Sequence, residues 1–268
     1  FFLLGKEDKF PVTVKKAPIF SPIAIIIALI CLFIDLKHKL YFWQLYTTFK
    51  LQSPMSFGSW VLLFITPLSF AWVFSYLREI YPKLKYPFQW LEKMEVWIQK
   101  QRRIIAWMLI FLSISLGIYT GILLSAFNAR PLWNTAIFGP LFLTYGLLTG
   151  SALIMWLALK KAEINQFRKL TLILIGITLF FVIHLFMGYA AGSEVQLVAV
   201  NLFIKGEFAV PFWSLVVGVG LILPGILELI NVKYKSIPVF LSAICILIGG
   251  FFFRMFIVQG GELTRYLY

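Results

Sequence analysis

The chain has 268 residues, 61% of them hydrophobic and 13% charged, with a mean hydropathy of +0.90. Apolar runs this long cannot all be buried in a soluble core of this size, so the composition indicates an all-α polytopic membrane protein. The formal charge of +13 would suggest nucleic acid as partner in a soluble protein; here it reports basic loops facing an anionic membrane surface.

The segment Phe1–Gly5 reads as the tail of a helix, so further N-terminal sequence is expected ahead of Phe1, with a cleaved signal peptide as the alternative. Seven apolar spans follow, each about as long as a bilayer core requires. They cover residues 19–36, 55–77, 103–127, 137–159, 169–191, 208–231 and 238–258. With a further helix before Phe1 the full protein has eight. No loop is long enough for a soluble domain.

Basic residues divide unequally between the two sides. One side carries Lys6, Lys9, Lys15, Lys16, Arg78, Lys83, Lys85, Lys93, Lys100, Arg102, Arg103, Lys160, Lys161, Arg168, Lys169, Lys233 and Lys235. The other carries Lys37, Lys39, Lys50, Arg130, Lys205 and Arg265. The richer side is therefore assigned to the cytoplasm, which puts Phe1 inside and Tyr268 outside. The cytoplasmic loop 78–102 contains Trp90, Leu91, Met94, Trp97 and Ile98 at helical spacing. That pattern predicts an amphipathic helix in the headgroup region, with partner binding as the alternative.

Polar landmarks gather on the outer side. Asp35 closes the first span and is followed by Lys37, His38 and Lys39. Ser53-Pro54-Met55-Ser56 opens the second. Tyr119 lies in the outer half of the third, and Arg130, Pro131, Trp133 and Asn134 make the turn after it. Pro131 biases Ala129 away from helix, so the span must end near there.

Cys31 and Cys245 lie inside apolar runs and read as small hydrophobes. No His, Cys, Asp or Glu cluster has metal-ligand spacing. With only His38 and His184, at different depths, a shared haem is not expected. Nucleophilic triads, phosphate loops and dinucleotide fingerprints are missing.

Three ionisable residues stand out within spans, where a charge costs about 2.5–3.5 kcal/mol on insertion scales. His184 can remain neutral against a helix neighbour. Glu228 lies toward the cytoplasmic end of its span and can reach water or pair with Lys233. Arg254 is deeper. Gly249 and Gly250 would admit a close neighbouring helix, and Arg254 then either pairs with a carboxylate or takes part in proton movement.

The outer cluster suits a quinone head group, which needs an apolar slot, partners for two ring oxygens and a base for the quinol protons. Tyr119 can bond a ring oxygen, Asp35 can accept a proton, Ser53 adds a polar group, and Met55 and Trp133 can form walls. The same composition equally allows a transporter pocket.

These blocks, in order, resemble the NrfD/PsrC family. They are Ile34-Asp35-Leu36, Ser53 through Trp60, Tyr119-Thr120-Gly121, Ala129 through Asn134, and Gly249-Gly250 with Arg254. The family is the quinone-reactive membrane subunit of polysulfide-reductase-type complexes. The resemblance implies eight helices in two four-helix bundles, here 1–160, lacking its first helix, and 161–268. It implies a cell-membrane subunit with no haem or metal of its own. Such a subunit exchanges electrons between a quinone, menaquinone being expected, and a four-cluster iron–sulfur subunit on the outer side. That partner serves a molybdopterin enzyme reducing polysulfide, sulfur, thiosulfate or a related acceptor.

Tyr119 then corresponds to the tyrosine at the quinone, and Arg130, Trp133 and Asn134 shape the docking surface. His184, Glu228 and Arg254 are candidates for a polar path through the second bundle. Two other classes stay open: a secondary transporter for a small anion or ion, and a redox-inert membrane anchor.

Overall fold

A computed structural model describes residues 1–50, 52–234 and 237–265. Lys235 of the basic side and Tyr268 lie outside the described residues. Among those residues the regular structure is helical throughout. Seven stretches are long and apolar enough to cross a membrane: Val12–Asp35, Pro54–Ser75, Arg102–Ser125, Phe138–Leu157, Lys161–Ala190, Ala209–Lys233 and Val239–Leu263. The chain is an all-α polytopic membrane protein.

The principal helices are α1 (Phe20–Asp35), α2 (Pro54–Ser75), α3 (Gln89–Lys100), α4 (Arg102–Ser125), α5 (Phe138–Leu157), α6 (Lys161–Ala190), α7 (Glu194–Ile204), α8 (Leu223–Lys233) and α9 (Val239–Leu263). A π-helical stretch, Phe212–Ile222, leads directly into α8. There are two compact units, Phe1–Leu116 and Gly117–Tyr268.

Lipid tails are as apolar as leucine, so membrane helices gain little from burying apolar area against each other. They gain from close backbone approach at small residues. The second unit shows this twice. A Cβ on Gly121 of α4 would lie 2.3 Å from the Gly139 nitrogen of α5, and one on Gly249 of α9 would lie 2.3 Å from the Gly220 Cα of the π-helical stretch. The expectation that Gly249 admits a close neighbour therefore holds. Around these contacts Phe138, Leu141, Tyr145, Phe203, Phe212 and Phe253 pack into one core. Tyr145 stacks on Phe253 with ring centroids 4.4 Å apart.

The first unit is held at the basic end of its helices by polar contacts. Tyr76, just past α2, is fully buried and donates from its hydroxyl to Glu7 at 3.3 Å. The Arg102 guanidinium lies 3.6 Å over its ring. Arg102 also donates to the Ser75 carbonyl and to Glu79, the latter at 2.8 Å, so the start of α4 caps the end of α2. Lys15 meets the other Glu79 oxygen at 2.7 Å. Burial pushes the Glu79 carboxyl pKa up, but the bonds from Lys15 and Arg102 outweigh it and hold the group below its ordinary value. Burial, offset in part by Arg102, pushes the Tyr76 hydroxyl pKa well above its ordinary value.

The predicted amphipathic helix is α3. Its apolar stripe is wider than the protein covers: Ile98 is buried and Leu91 half-buried, while Trp90, Met94 and Trp97 are exposed. Between them Glu95 is fully buried and forms an ion pair with Arg78 Nε at 2.5 Å.

Candidate functional site

The polar block that opens α2 is a set of clasps. Pro54 occupies the first helical turn, where its missing N–H costs nothing, and Ser53 is the N-cap. Ser56 Oγ accepts from the Lys50 N–H at 3.0 Å and donates to the Thr48 carbonyl at 3.0 Å. Ser59 Oγ donates to the Leu45 carbonyl at 2.7 Å. Serines one helical turn apart thus fasten the connection between α1 and α2 onto the start of α2.

That fastened loop shapes two cavities in the first unit. One, of about 430 Å³, has a mixed lining with several polar side chains, and it includes His38, Tyr41, Gln44, Lys50, Ser53 and Met55. The other, of about 330 Å³, is an apolar slot between α1 and the loop, lined by residues such as Ile26, Ile30, Phe33, Phe42 and Tyr46. Leu36 and Leu45 line both, so the two adjoin. Asp35 is the last residue of α1 and is exposed, next in sequence to that shared wall. Ser53 and Met55 are therefore brought together on one cavity. His38, Tyr41 and Gln44 join them, residues that carry no periodic signal.

The remaining expected residues lie in the second unit. Tyr119 is half-buried in the last two turns of α4, two residues before the Gly121 contact. The Arg-Pro-x-Trp-Asn turn is a structural clamp. Arg130 donates to the carbonyls of Glu262 and Thr264, the latter at 2.9 Å, and so satisfies the end of α9. Trp133 is buried and donates from its indole to the Ile257 carbonyl at 2.8 Å. The buried Tyr189 hydroxyl donates to the Leu132 carbonyl. Asn134 is exposed, and its carbonyl accepts from Gln196 at 3.2 Å. Gln196 also completes a capping box with Ser193 at the start of α7.

Each of the three intramembrane residues has its own local surroundings. His184 is exposed on α6 and stacks on Phe180, with centroids 5.8 Å apart. Glu228 departs from expectation: it neither reaches water nor pairs with Lys233. It is fully buried, bonded by Arg168 Nε at 2.7 Å and by the Ser242 hydroxyl. The reason is direction, because Glu228 lies on the buried face of α8 while Lys233 is exposed. Arg254 makes no ion pair among the described residues; its guanidinium bonds the Gly250 carbonyl one turn back, at 3.0 Å. No hydrogen bond links these three to one another among the described residues.

The apolar pattern starts this span at 169 and so leaves Arg168 among the loop cations. Helix α6 instead starts at Lys161, and Phe167, Arg168, Thr171, Ile175 and Thr178 are buried on it. That helical spacing, extended one turn back into the polar residues, is the signal that identifies Arg168 as part of the buried face.

Residues 5–265 match the family model described as polysulphide reductase, NrfD. The C subunit of polysulfide reductase from Wolinella succinogenes is 30% identical over 264 residues, covering 93% of this chain and 82% of that protein. Protein NrfD of Escherichia coli is 29% identical over 264 residues, covering 92% and 81%. The NrfD homolog of Haemophilus influenzae is 27% identical over 271 residues, covering 94% and 83%. The chain belongs to the NrfD family.

Proposed function

We propose that this protein is the membrane subunit of a respiratory oxidoreductase complex and exchanges electrons with a membrane quinone, menaquinol being the expected donor. The observation that carries this reading is the pair of adjoining cavities in the first unit. The apolar slot suits an isoprenoid tail. The mixed-lined cavity next to it offers His38, Tyr41, Gln44 and Ser53 to the two ring oxygens. Oxidising a quinol releases two electrons and two protons. Asp35, exposed at the end of α1, is the proposed proton acceptor. Tyr119 as ring-oxygen partner and Trp133 as wall are proposed from the family pattern alone, apart from the first-unit cavities.

In this reading the electrons pass to a four-cluster iron–sulfur subunit, which serves a molybdopterin reductase. The name of the Wolinella relative, one lettered component of a polysulfide reductase, supports such a multi-subunit assembly. Arg130, Trp133 and Asn134 form the proposed docking region, on the outer side of the inner membrane. A division into bundles 1–160 and 161–268 belongs to the same proposal, as does a path for protons through His184, Glu228 and Arg254.

The test uses the purified complex and a photoreactive quinone analogue mapped by mass spectrometry. Labelling within residues 26–56 supports the first-unit site, and labelling at Tyr119 or Trp133 supports the contacts taken from the family pattern; labelling at neither overturns the proposal. In the same preparation, Tyr119→Phe together with Asp35→Asn is expected to lower quinol oxidation by about a hundredfold or more, the usual range for a lost acid–base group. The complex should remain assembled. Full turnover in that variant removes both residues from the mechanism.

A further inference from the structure

One face of α3 presents Lys93, Val96, Trp97 and Lys100, spaced by three, four and seven residues. Together with Arg78 and Glu92 these residues line a cavity of about 360 Å³. Its charges are unequal in kind. Arg78 is already committed, with Nε on the buried Glu95 at 2.5 Å and Nη1 on Glu92 at 3.3 Å. Lys93 and Lys100 have no ion pair or hydrogen bond among the described residues, so they outweigh the second carboxylate on Arg78 and the cavity with its paired wall keeps a net positive charge. Trp90, Met94 and Trp97 of the same helix are exposed. So are Ile104, Trp107, Met108 and Phe111 in the first turns of α4, which begins two residues after α3 ends.

A soluble protein would not leave such a surface bare. In a membrane protein, tryptophans beside lysines mark the layer where head groups meet acyl chains. A basic hollow at that level is matched in charge by an anionic phosphodiester, and the apolar residues beside it are matched by acyl chains.

We propose that this cavity is a binding site for an anionic phospholipid of the leaflet at the Lys/Arg-rich end of the spans. The phosphodiester sits between the Lys93 and Lys100 ammonium groups, and the acyl chains run over Trp97 and the exposed start of α4. The pairing of Arg78 with Glu92 and Glu95 fixes the wall of the site and leaves the two lysines to bind. The inference rests only on the membrane character of the protein and not on quinone chemistry.

The experiment is native mass spectrometry of the delipidated full-length protein in detergent, titrated with phosphatidylglycerol or with phosphatidylcholine of the same acyl chains. Wild type is expected to bind one phosphatidylglycerol with clear preference. Lys93→Gln together with Lys100→Gln is expected to weaken that binding by about thirtyfold, the effect of two interfacial cations. Lys37→Gln with Lys39→Gln, remote in sequence, is expected to leave it unchanged. Lys93→Arg with Lys100→Arg should retain it, which separates charge from misfolding. Equal binding of both lipids by wild type overturns the proposal, as does an undiminished preference in the Gln variant. Displacement of the lipid by millimolar inorganic phosphate also overturns it, because the site would then serve a free anion.

Discussion

Replacing Glu228 by Gln tests whether the Arg168–Glu228 pair is a stabilising element of the second unit. The pair is 2.7 Å apart, with Arg168 Nε donating, and both side chains are buried. Glu228→Gln keeps the volume and one oxygen acceptor but leaves the Arg168 guanidinium charged and buried. Breaking one side of a buried pair costs about 3–5 kcal/mol. Arg168 keeps its bond to Asn165 at 3.0 Å, so the lower end of that range is expected. About 3 kcal/mol is roughly a hundredfold in the folding equilibrium. Glu228→Leu with Arg168→Met removes both charges and is expected to fall within about 1 kcal/mol of wild type, because desolvation and attraction nearly cancel in such pairs. The assay is tryptophan-monitored unfolding in detergent at pH 7, with Arg168→Met and Glu228→Leu alone completing a double-mutant cycle. A double variant as unstable as the sum of its singles would refute the reasoning, because the two residues would then not act on each other.

Glycine packing gives a sharper contrast. Gly220→Ala and Gly249→Ala put a Cβ within 2.6 and 2.3 Å of a facing backbone Cα and should each lower the melting temperature markedly. Gly146→Ala and Gly176→Ala meet nothing within 4 Å and should be neutral or slightly stabilising, since alanine is the better helix former by about 1 kcal/mol. The Glu79 contacts predict an acid limb of stability. A carboxyl held below its ordinary pKa stabilises the fold above the unfolded value of 4.5, and that contribution is lost as pH falls through the folded value. Melting temperature should therefore drop below about pH 4.5 in wild type, and less steeply in Glu79→Gln. Arg130→Met should destabilise the isolated protein by about 1–2 kcal/mol through the uncapped carbonyls of α9, whereas Asn134→Ala should leave its stability unchanged. Loss of complex assembly in Asn134→Ala would then report docking without a folding effect.

The spans were legible because a bilayer demands a fixed length of apolar helix, and Pro54–Ser75 and Arg102–Ser125 begin and end within two residues of expectation. The misses have local causes. Glu163 and Arg168 disguise the start of α6, since a buried polar residue looks like a loop residue until its partner is known. Gln259-Gly260-Gly261-Glu262 reads as a terminator, yet α9 continues to Leu263 because Trp133 and Phe203 pack against those two glycines. The loop between α1 and α2 follows neither period. The cavities it forms are fixed by the Ser56 and Ser59 bonds to Thr48 and Leu45, which no pattern in the loop itself announces.

The family blocks and the cavity lining overlap only in part, and the physics says why. A membrane fold needs its irregular backbone tied down wherever it leaves the helical register, since unpaired carbonyls near the hydrocarbon are costly. Arg130 on the end of α9, Trp133 on Ile257 and Ser56 and Ser59 on the α1–α2 loop each satisfy such carbonyls. A residue doing this tolerates little substitution whether or not a ligand lies beside it. Ser53, Met55 and the loop residues His38, Tyr41 and Gln44 line a cavity without serving as clasps. In the proposed quinone site, substitutions in that second group are expected to change quinone affinity with the fold intact, and they separate binding from architecture more cleanly than any residue of the Arg-Pro-x-Trp-Asn turn.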